Sequence, residues 1–123
     1  MHIGSRLETI GSLVTKDCVL ADIGTDHAYL PVWLLERGQI KRAIAGDIAA
    51  GPCQAARTTI AQHGLQEKVE VRLGSGLSVL QPGEADCIAI AGMGAATMIS
   101  ILEADMEVAE AAALLVLPAC VRG

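Results

Sequence analysis

Apolar positions along the chain alternate between two spacings, and the alternation predicts helix and strand in turn. Ile3, Leu7, Ile10 and Val14 recur every three or four residues, which puts them on one face of a helix. Cys18 to Ile23 is a short apolar run that ends at the turn-forming Gly24, which reads as a buried strand. Leu30 to Leu35 is again helical and stops at Gly38, and Ala43 to Ala45 is a second buried strand. Pro52 opens a helix that Gly64 closes. Val69 to Leu73 alternates with charged Glu70 and Arg72 as a third strand, and Ile88 to Ala91 gives a fourth. Ala95 to Leu102 is helical, and Leu114 to Leu117 is a fifth strand ended by Pro118.

Strands that alternate with helices at this spacing predict an α/β, Rossmann-like domain: an N-terminal helix, then a parallel sheet with helices on both faces. No internal repeat or low-complexity linker interrupts the pattern. In open sheets of this kind the ligand lies beyond the carboxyl ends of the strands, where the strand order reverses. The polar residues at those ends therefore carry the functional expectation. They are Asp22-Ile23-Gly24-Thr25-Asp26-His27, Gly46-Asp47, Gly74-Ser75-Gly76 and Gly92-Met93-Gly94.

Asp47 follows Asp22 at close to the spacing, about 20 residues, at which an acid accepts hydrogen bonds from ribose hydroxyls in adenosine-cofactor sites. An adenosine-containing cofactor follows. A dinucleotide needs a backbone that approaches a pyrophosphate, hence a loop with three glycines, whereas the first loop here has Gly24 alone and further polar side chains. S-adenosylmethionine carries an ammonium, a carboxylate and a sulfonium but no phosphate, so an acidic loop suits its cationic groups. The residues favour the methyl donor over NAD.

A block of residues then resembles a known family: Gly4-Ser5-Arg6-Leu7, the continuous run Ala21-Asp22-Ile23-Gly24-Thr25-Asp26-His27-Ala28-Tyr29-Leu30-Pro31, Gly51-Pro52, Arg72 with Gly76-Leu77, and Ala91-Gly92-Met93-Gly94. Together they are similar to the bacterial TrmK family, tRNA (adenine-N1)-methyltransferases that act on adenine 22. The resemblance implies that Gly24 and its neighbours hold the methionine end of the donor, Asp47 the ribose, Ser75 and Gly76 the adenine, and that Gly92 and Met93 line the transfer site. The chain departs from the family pattern at Gly94-Ala95, where a Gly-Gly pair is usual, and at Ser75, where Asn or Asp is frequent.

For methylation at adenine N1, a base lone pair attacks the sulfonium methyl in line, so positioning dominates and neither a metal nor a covalent nucleophile is required. A carboxylate that steadies the cationic product, or takes a proton from the exocyclic amine, is useful. Asp26 is the candidate, with helix N-capping as its structural alternative. His27 is set to touch the donor's carboxylate or to serve as a polar spacer. Tyr29 either stacks on the target adenine or packs beside Trp33, four residues on. Asp22 orders the first loop and is a candidate donor contact. Arg6 is a candidate for donor or RNA contact, against a solvated helix face. Met93 is alternatively core filler, and Gly92 and Gly94 alternatively permit a tight turn.

Charge and composition restrain this picture. With a net charge of −5 and nine scattered basic residues, the chain by itself is poorly equipped to bind RNA. One Tyr and one Trp cannot build a stacking platform for a string of bases. The resemblance implies a sheet of seven strands followed by a helical region implicated in tRNA binding, whereas this sequence stops after strand five. The expectation is therefore a single donor-binding domain over 1–123, incomplete, whose tRNA contacts lie in an absent region. The alternative is a non-catalytic S-adenosylmethionine-binding relic. An apolar fifth strand with an open edge invites self-association. The four cysteines are dispersed, with no metal-binding or disulfide spacing, and read as reduced core residues of a cytoplasmic protein. The longest uncharged run, Cys87 to Leu102, is too short and too interrupted by glycine to span a membrane.

Overall fold

The computed structural model describes residues 3–90 and 94–117. Five strands, β1 (Val19–Ile23), β2 (Arg42–Asp47), β3 (Val69–Leu73), β4 (Cys87–Ile90) and β5 (Leu114–Val116), form one sheet of order β3-β2-β1-β4-β5. Every pairing is parallel. Five α-helices alternate with them: α1 (Ser5–Ser12), α2 (Tyr29–Glu36), α3 (Ala50–Gln62), α4 (Ala95–Ala104) and α5 (Met106–Ala111).

The central strands read as nearly continuous apolar runs because both of their faces are covered. β4 is buried throughout and β1 in all but its first residue. On one face Leu20, Ala43 and Cys87 pack against Ile10, Leu30, Leu34, Ala56 and Ile60, which come from α1, α2 and α3. On the other, Ile23, Ile44 and Ile88 meet Leu77, Met98 and Val108, from a short 3-10 helix (Gly76–Val79), α4 and α5. Helices thus cover both faces, as the alternating pattern predicts.

The α1–α2 contact depends on a glycine. A Cβ on Gly11 would lie 2.7 Å from the Trp33 ring, so the indole closes on bare backbone. Trp33 also carries the Arg37 guanidinium over its ring at 4.4 Å.

Several boundaries differ from those the sequence pattern predicts, among them those of α3, β2 and β5. α3 begins two residues ahead of Pro52, a position where proline costs little because N–H groups of the first turn have no intrahelical partner. β2 extends beyond Ala43–Ala45 to Arg42 and Asp47, because the ladders to β1 and β3 continue through Gly46 and Asp47. β5 ends one residue early, at Val116. Ala91 and Pro118 lie outside the described residues. The 3-10 helix and the six-residue α5 are too short for hydrophobic periodicity to register.

From β1 the chain builds outward to β3, then returns across β1 to lay down β4 and β5. The strand order therefore reverses between β1 and β4, and the loops above these carboxyl ends form the site.

Candidate functional site

Asp22 is the penultimate residue of β1 rather than a loop residue, and only 4% of it is exposed. Its Oδ2 accepts a 2.8 Å hydrogen bond from the Thr25 hydroxyl. This bond ties the first loop back to the end of β1. Burial pushes its carboxyl up to about 6, the Thr25 hydrogen bond opposes that rise, and the charge of Asp47 adds to it.

The loop that follows is held in unusual backbone geometry. Gly24 has φ +76°, and the non-glycine residues Asp26 and Ala28 have φ 56° and 60°. Left-handed conformations at non-glycine positions cost on the order of 1 kcal/mol each and persist where surrounding contacts fix them. Here the N–H groups of Gly24 and Thr25 both donate to the Gly46 carbonyl, at 2.9 and 3.0 Å, and the Ala28 N–H donates to the Thr25 carbonyl at 3.0 Å.

Asp26 is not a helix cap. The residue before α2 is Ala28, and no side chain bonds to that helix end. The Asp26 side chain is instead 67% exposed, with Oδ2 3.2 Å from His27 Nδ1. Its backbone N–H donates to Asp47 Oδ2 at 3.2 Å. The Ala49 N–H donates to the other oxygen, Oδ1, at the same distance. Asp47 therefore sits at the end of β2 with both oxygens oriented by backbone donors, and lone pairs remain for hydroxyl groups of a ligand.

Two clefts meet at Gly24. The larger, about 310 Å³, runs from Ile23 and Asp47 past Gly74, Ser75 and Gly76 to Ile101 on α4. The smaller, about 170 Å³, is lined by Asp22, Thr25, Asp26, His27 and Tyr29, with Leu7 of α1 across from them. The first is lined mostly by apolar groups, with Asp47, Ser75, Thr97, Ser100 and Asp105 as its polar side chains, which suits a ribose joined to a flat heterocycle. The second is acidic, which suits a cation. Gly76, at φ +51°, closes the larger cleft, and a Cβ there would come within 3.0 Å of Ile101.

Tyr29 opens α2 and stands largely outside the core. It is 40% exposed, and its ring stacks on His27 with centroids 5.0 Å apart and planes 11° from parallel. The two rings form a small aromatic wall on the acidic cleft. Gly94 needs no glycine-specific conformation: its φ is −72° and a Cβ there would stand in open space, so a tight turn does not account for it. Arg6 is exposed on α1, one residue before the cleft-lining Leu7. Gly92 and Met93 lie outside the described residues.

Sequence reasoning misses Ile48, Thr97, Ser100 and Ile101, all of which line the larger cleft. Ile48 carries a legible signal: an isoleucine directly after a strand-end acid, and 71% exposed. The α4 residues do not, because a helix running past a cleft reads as ordinary amphipathic pattern. Arg72, part of the family-like block, holds the 3-10 helix in place. It donates to the Val79 carbonyl at 2.7 Å and to both Glu84 oxygens, at 2.8 and 2.6 Å. Cys18, Cys53 and Cys87 are free and buried, as small core residues would be. Among the described residues no group of three or more His, Cys, Asp or Glu is placed to hold a metal ion, and no helix is long and apolar enough to cross a membrane.

The profile of a family described as a methyltransferase domain matches residues 3–122. The chain belongs to this methyltransferase family. It is 42% identical over 107 residues to the tRNA (adenine(22)-N(1))-methyltransferase of Bacillus subtilis (strain 168), a match covering 87% of this chain and 45% of the relative. The crystal structure of the B. subtilis tRNA methyltransferase TrmK superposes with a TM-score of 0.86 at 40% identity, over 94% of this chain and 50% of that one. Streptococcus pneumoniae Sp1610, solved in complex with S-adenosyl-L-methionine, gives a TM-score of 0.86 at 44% identity, over 90% of this chain and 52% of that one. The resemblance carried by the Ala21–Pro31 block is borne out, and the NAD reading is set aside. The chain spans about half the length of these relatives.

Proposed function

We propose that this chain is the S-adenosylmethionine-binding domain of a tRNA (adenine-N1)-methyltransferase. The observation that carries the reading is the junction of an acidic and an apolar cleft at Gly24, with Asp47 clamped beside it by two backbone donors. Asp47 would hold the ribose. Ser75 and Gly76, backed by Ile48 and Ile101, would enclose the adenine, and Asp22, Gly24 and His27 would receive the methionine end. Gly92 and Met93 would line the transfer site. When bound, the donor supplies an electrophilic methyl group on sulfur.

The protein's own part in the chemistry is placement and proton management. Adenine N1 forms the new bond to carbon as the sulfur–methyl bond breaks, and the base gains positive charge. The exposed Asp26 carboxylate would face that charge and accept a proton from the exocyclic amine. The wall of Tyr29 on His27 would offer a flat surface to the incoming base. Arg6, on the adjoining helix, would meet RNA phosphate.

The acidic charge balance and the relatives' twofold greater length support placing the main tRNA contacts in a region other than residues 1–123. Methylation of tRNA by these residues alone would then be undetectable while donor binding survives. The alternative, a donor-binding module without catalysis, predicts no methyl transfer even when that region is supplied. Addition of a relative's C-terminal region, followed by transfer of labelled methyl groups to tRNA, separates the two. β5 lies at the sheet edge with one side of its ladder unpaired among the described residues, which supports self-association. Light scattering tests it. Buried thiols and a tRNA substrate fit a cytoplasmic protein.

A further inference from the structure

Asp22 and Thr25 are the only two buried polar side chains bonded to each other among the described residues. The third buried polar residue, Thr59, bonds to the Ala55 carbonyl of its own helix. Such a pair is costly to maintain in a core, because an ionised carboxylate loses its water, and an apolar pair of similar volume would pack at less expense. A cost of this kind within a cleft marks a group retained for a ligand. The cleft is the acidic one, which both residues line.

We propose that Thr25 is a positioning residue whose hydroxyl holds the buried Asp22 carboxylate in the orientation that faces the first-loop cleft, ready for the cationic end of the methyl donor. The inference rests on the S-adenosylmethionine reading above and deepens it. Thr25 is well built for the task. Its N–H is tied to the Gly46 carbonyl and its own carbonyl to the Ala28 N–H, so the backbone is fixed on both sides. A β-branched side chain on fixed backbone has few rotamers.

The same hydroxyl favours the ionised form of Asp22. Burial raises the Asp22 carboxyl to about 6, and Thr25 is the group that pulls it back down. The surroundings otherwise offer little help. Asp47, from the end of β2, pushes it further up. Asp26 and His27 share its cleft, and α1 presents Leu7, between Arg6 and Glu8. The partners of Asp22 in β2 and β4 are Ala45 and Ala89, and α2 contributes Tyr29 and Leu30. Without the hydroxyl the carboxyl would rise further, and its attraction for an ammonium or sulfonium would weaken.

The test combines two readouts on wild type, Thr25→Val, Thr25→Ser and Asp22→Asn. Carbon-detected NMR of the ligand-free protein follows the Asp22 carboxyl through its titration, and calorimetry follows S-adenosylmethionine affinity from pH 6 to 9. A hydrogen bond to a charged group is worth about one to two pKa units. Thr25→Val should therefore move the Asp22 midpoint upward by about that much and weaken donor binding roughly tenfold at pH 7, with recovery at higher pH. Thr25→Ser should track wild type in both. Asp22→Asn should itself weaken donor binding, with no recovery at higher pH. A Thr25→Val protein with an unmoved midpoint and unchanged affinity overturns the inference while donor binding by wild type still stands. If Thr25→Val fails to fold, a Thr25→Ala protein takes its place under the same criteria. Absence of donor binding by wild type at every pH overturns the donor-binding reading itself, and this inference with it.

Discussion

The backbone N–H of Asp26 donates to the side chain of Asp47 across 3.2 Å, so the loop after β1 and the carboxyl end of β2 are joined at the junction of the two clefts. Because the donor is backbone, substitution of the Asp26 side chain leaves the joint intact. Asn tolerates the left-handed conformation found at Asp26 as well as Asp does. Asp26→Asn, in a chain extended to the relatives' length, should lower methyl transfer to tRNA by roughly 10²-fold with donor affinity nearly unchanged, the pattern of an interaction made in the transition state. Single-turnover kinetics with labelled donor measure it. Turnover equal to wild type would remove Asp26 from the chemistry.

Tyr29 should act on the base and not on the fold. A core aromatic truncated to Ala costs about 3–5 kcal/mol, whereas a ring that is 40% exposed and touches His27 should cost less than about 1 kcal/mol. Thermal melts of Tyr29→Ala check the stability half. Methyl transfer in the extended chain checks the other, and should fall while donor affinity holds. A large drop in melting temperature would return Tyr29 to the core.

Asp22 sets stability against binding. Its folded-state carboxyl, at about 6, lies above its ordinary 3.8, so the folded protein holds that proton more tightly than the unfolded chain does. Stability is fully present below about pH 4 and falls as pH rises through 6. Asp22→Asn removes that loss. The variant should be more stable than wild type at pH 7, by on the order of 1–3 kcal/mol, with the gain vanishing below pH 4. Donor affinity should fall at the same time. Denaturant melts at pH 4 and 7 decide it, and equal stability at both would contradict the buried charge.

The Arg72–Glu84 pair has the opposite sign. Two charged hydrogen bonds from Arg72 hold the Glu84 carboxyl down at about 2, well below its ordinary 4.5. Its contribution is present above pH 4.5 and is lost as pH falls toward 2. Arg72→Met should destabilise the fold by about 2 kcal/mol at pH 7, and by less at pH 2.5. It should also weaken donor binding, because Arg72 anchors the 3-10 helix at the Val79 carbonyl and Ser75 precedes that helix. Melts at both pH values and calorimetry measure the two effects.

The strand ends are legible in the sequence because a buried parallel strand must be apolar along its length, so Asp22 and Asp47 stand out against Leu20, Ala21, Ile44 and Ala45. What joins them is not. The Asp26 and Ala49 bonds to Asp47 depend on positive φ values and on the register of β1 against β2, which residue types do not encode. Tyr29 and Trp33 are four apart and could share a face by spacing alone, but the chain enters α2 at Ala28, so Tyr29 begins the helix beside His27 while Trp33 closes on Gly11. Ile101 gives no signal either, since its place in the cleft follows from how α4 crosses the sheet.

The most direct test of the central claim is calorimetry on residues 1–123 with S-adenosylmethionine, S-adenosylhomocysteine and NAD. Wild type should bind the first two and not the third. Asp47→Ala should weaken binding by about 1–3 kcal/mol, roughly tenfold to a hundredfold, through lost charge-assisted hydrogen bonds and release of the Asp26 and Ala49 N–H groups. Tighter binding of NAD than of the methyl donor, or an Asp47→Ala protein with wild-type affinity, would contradict the account.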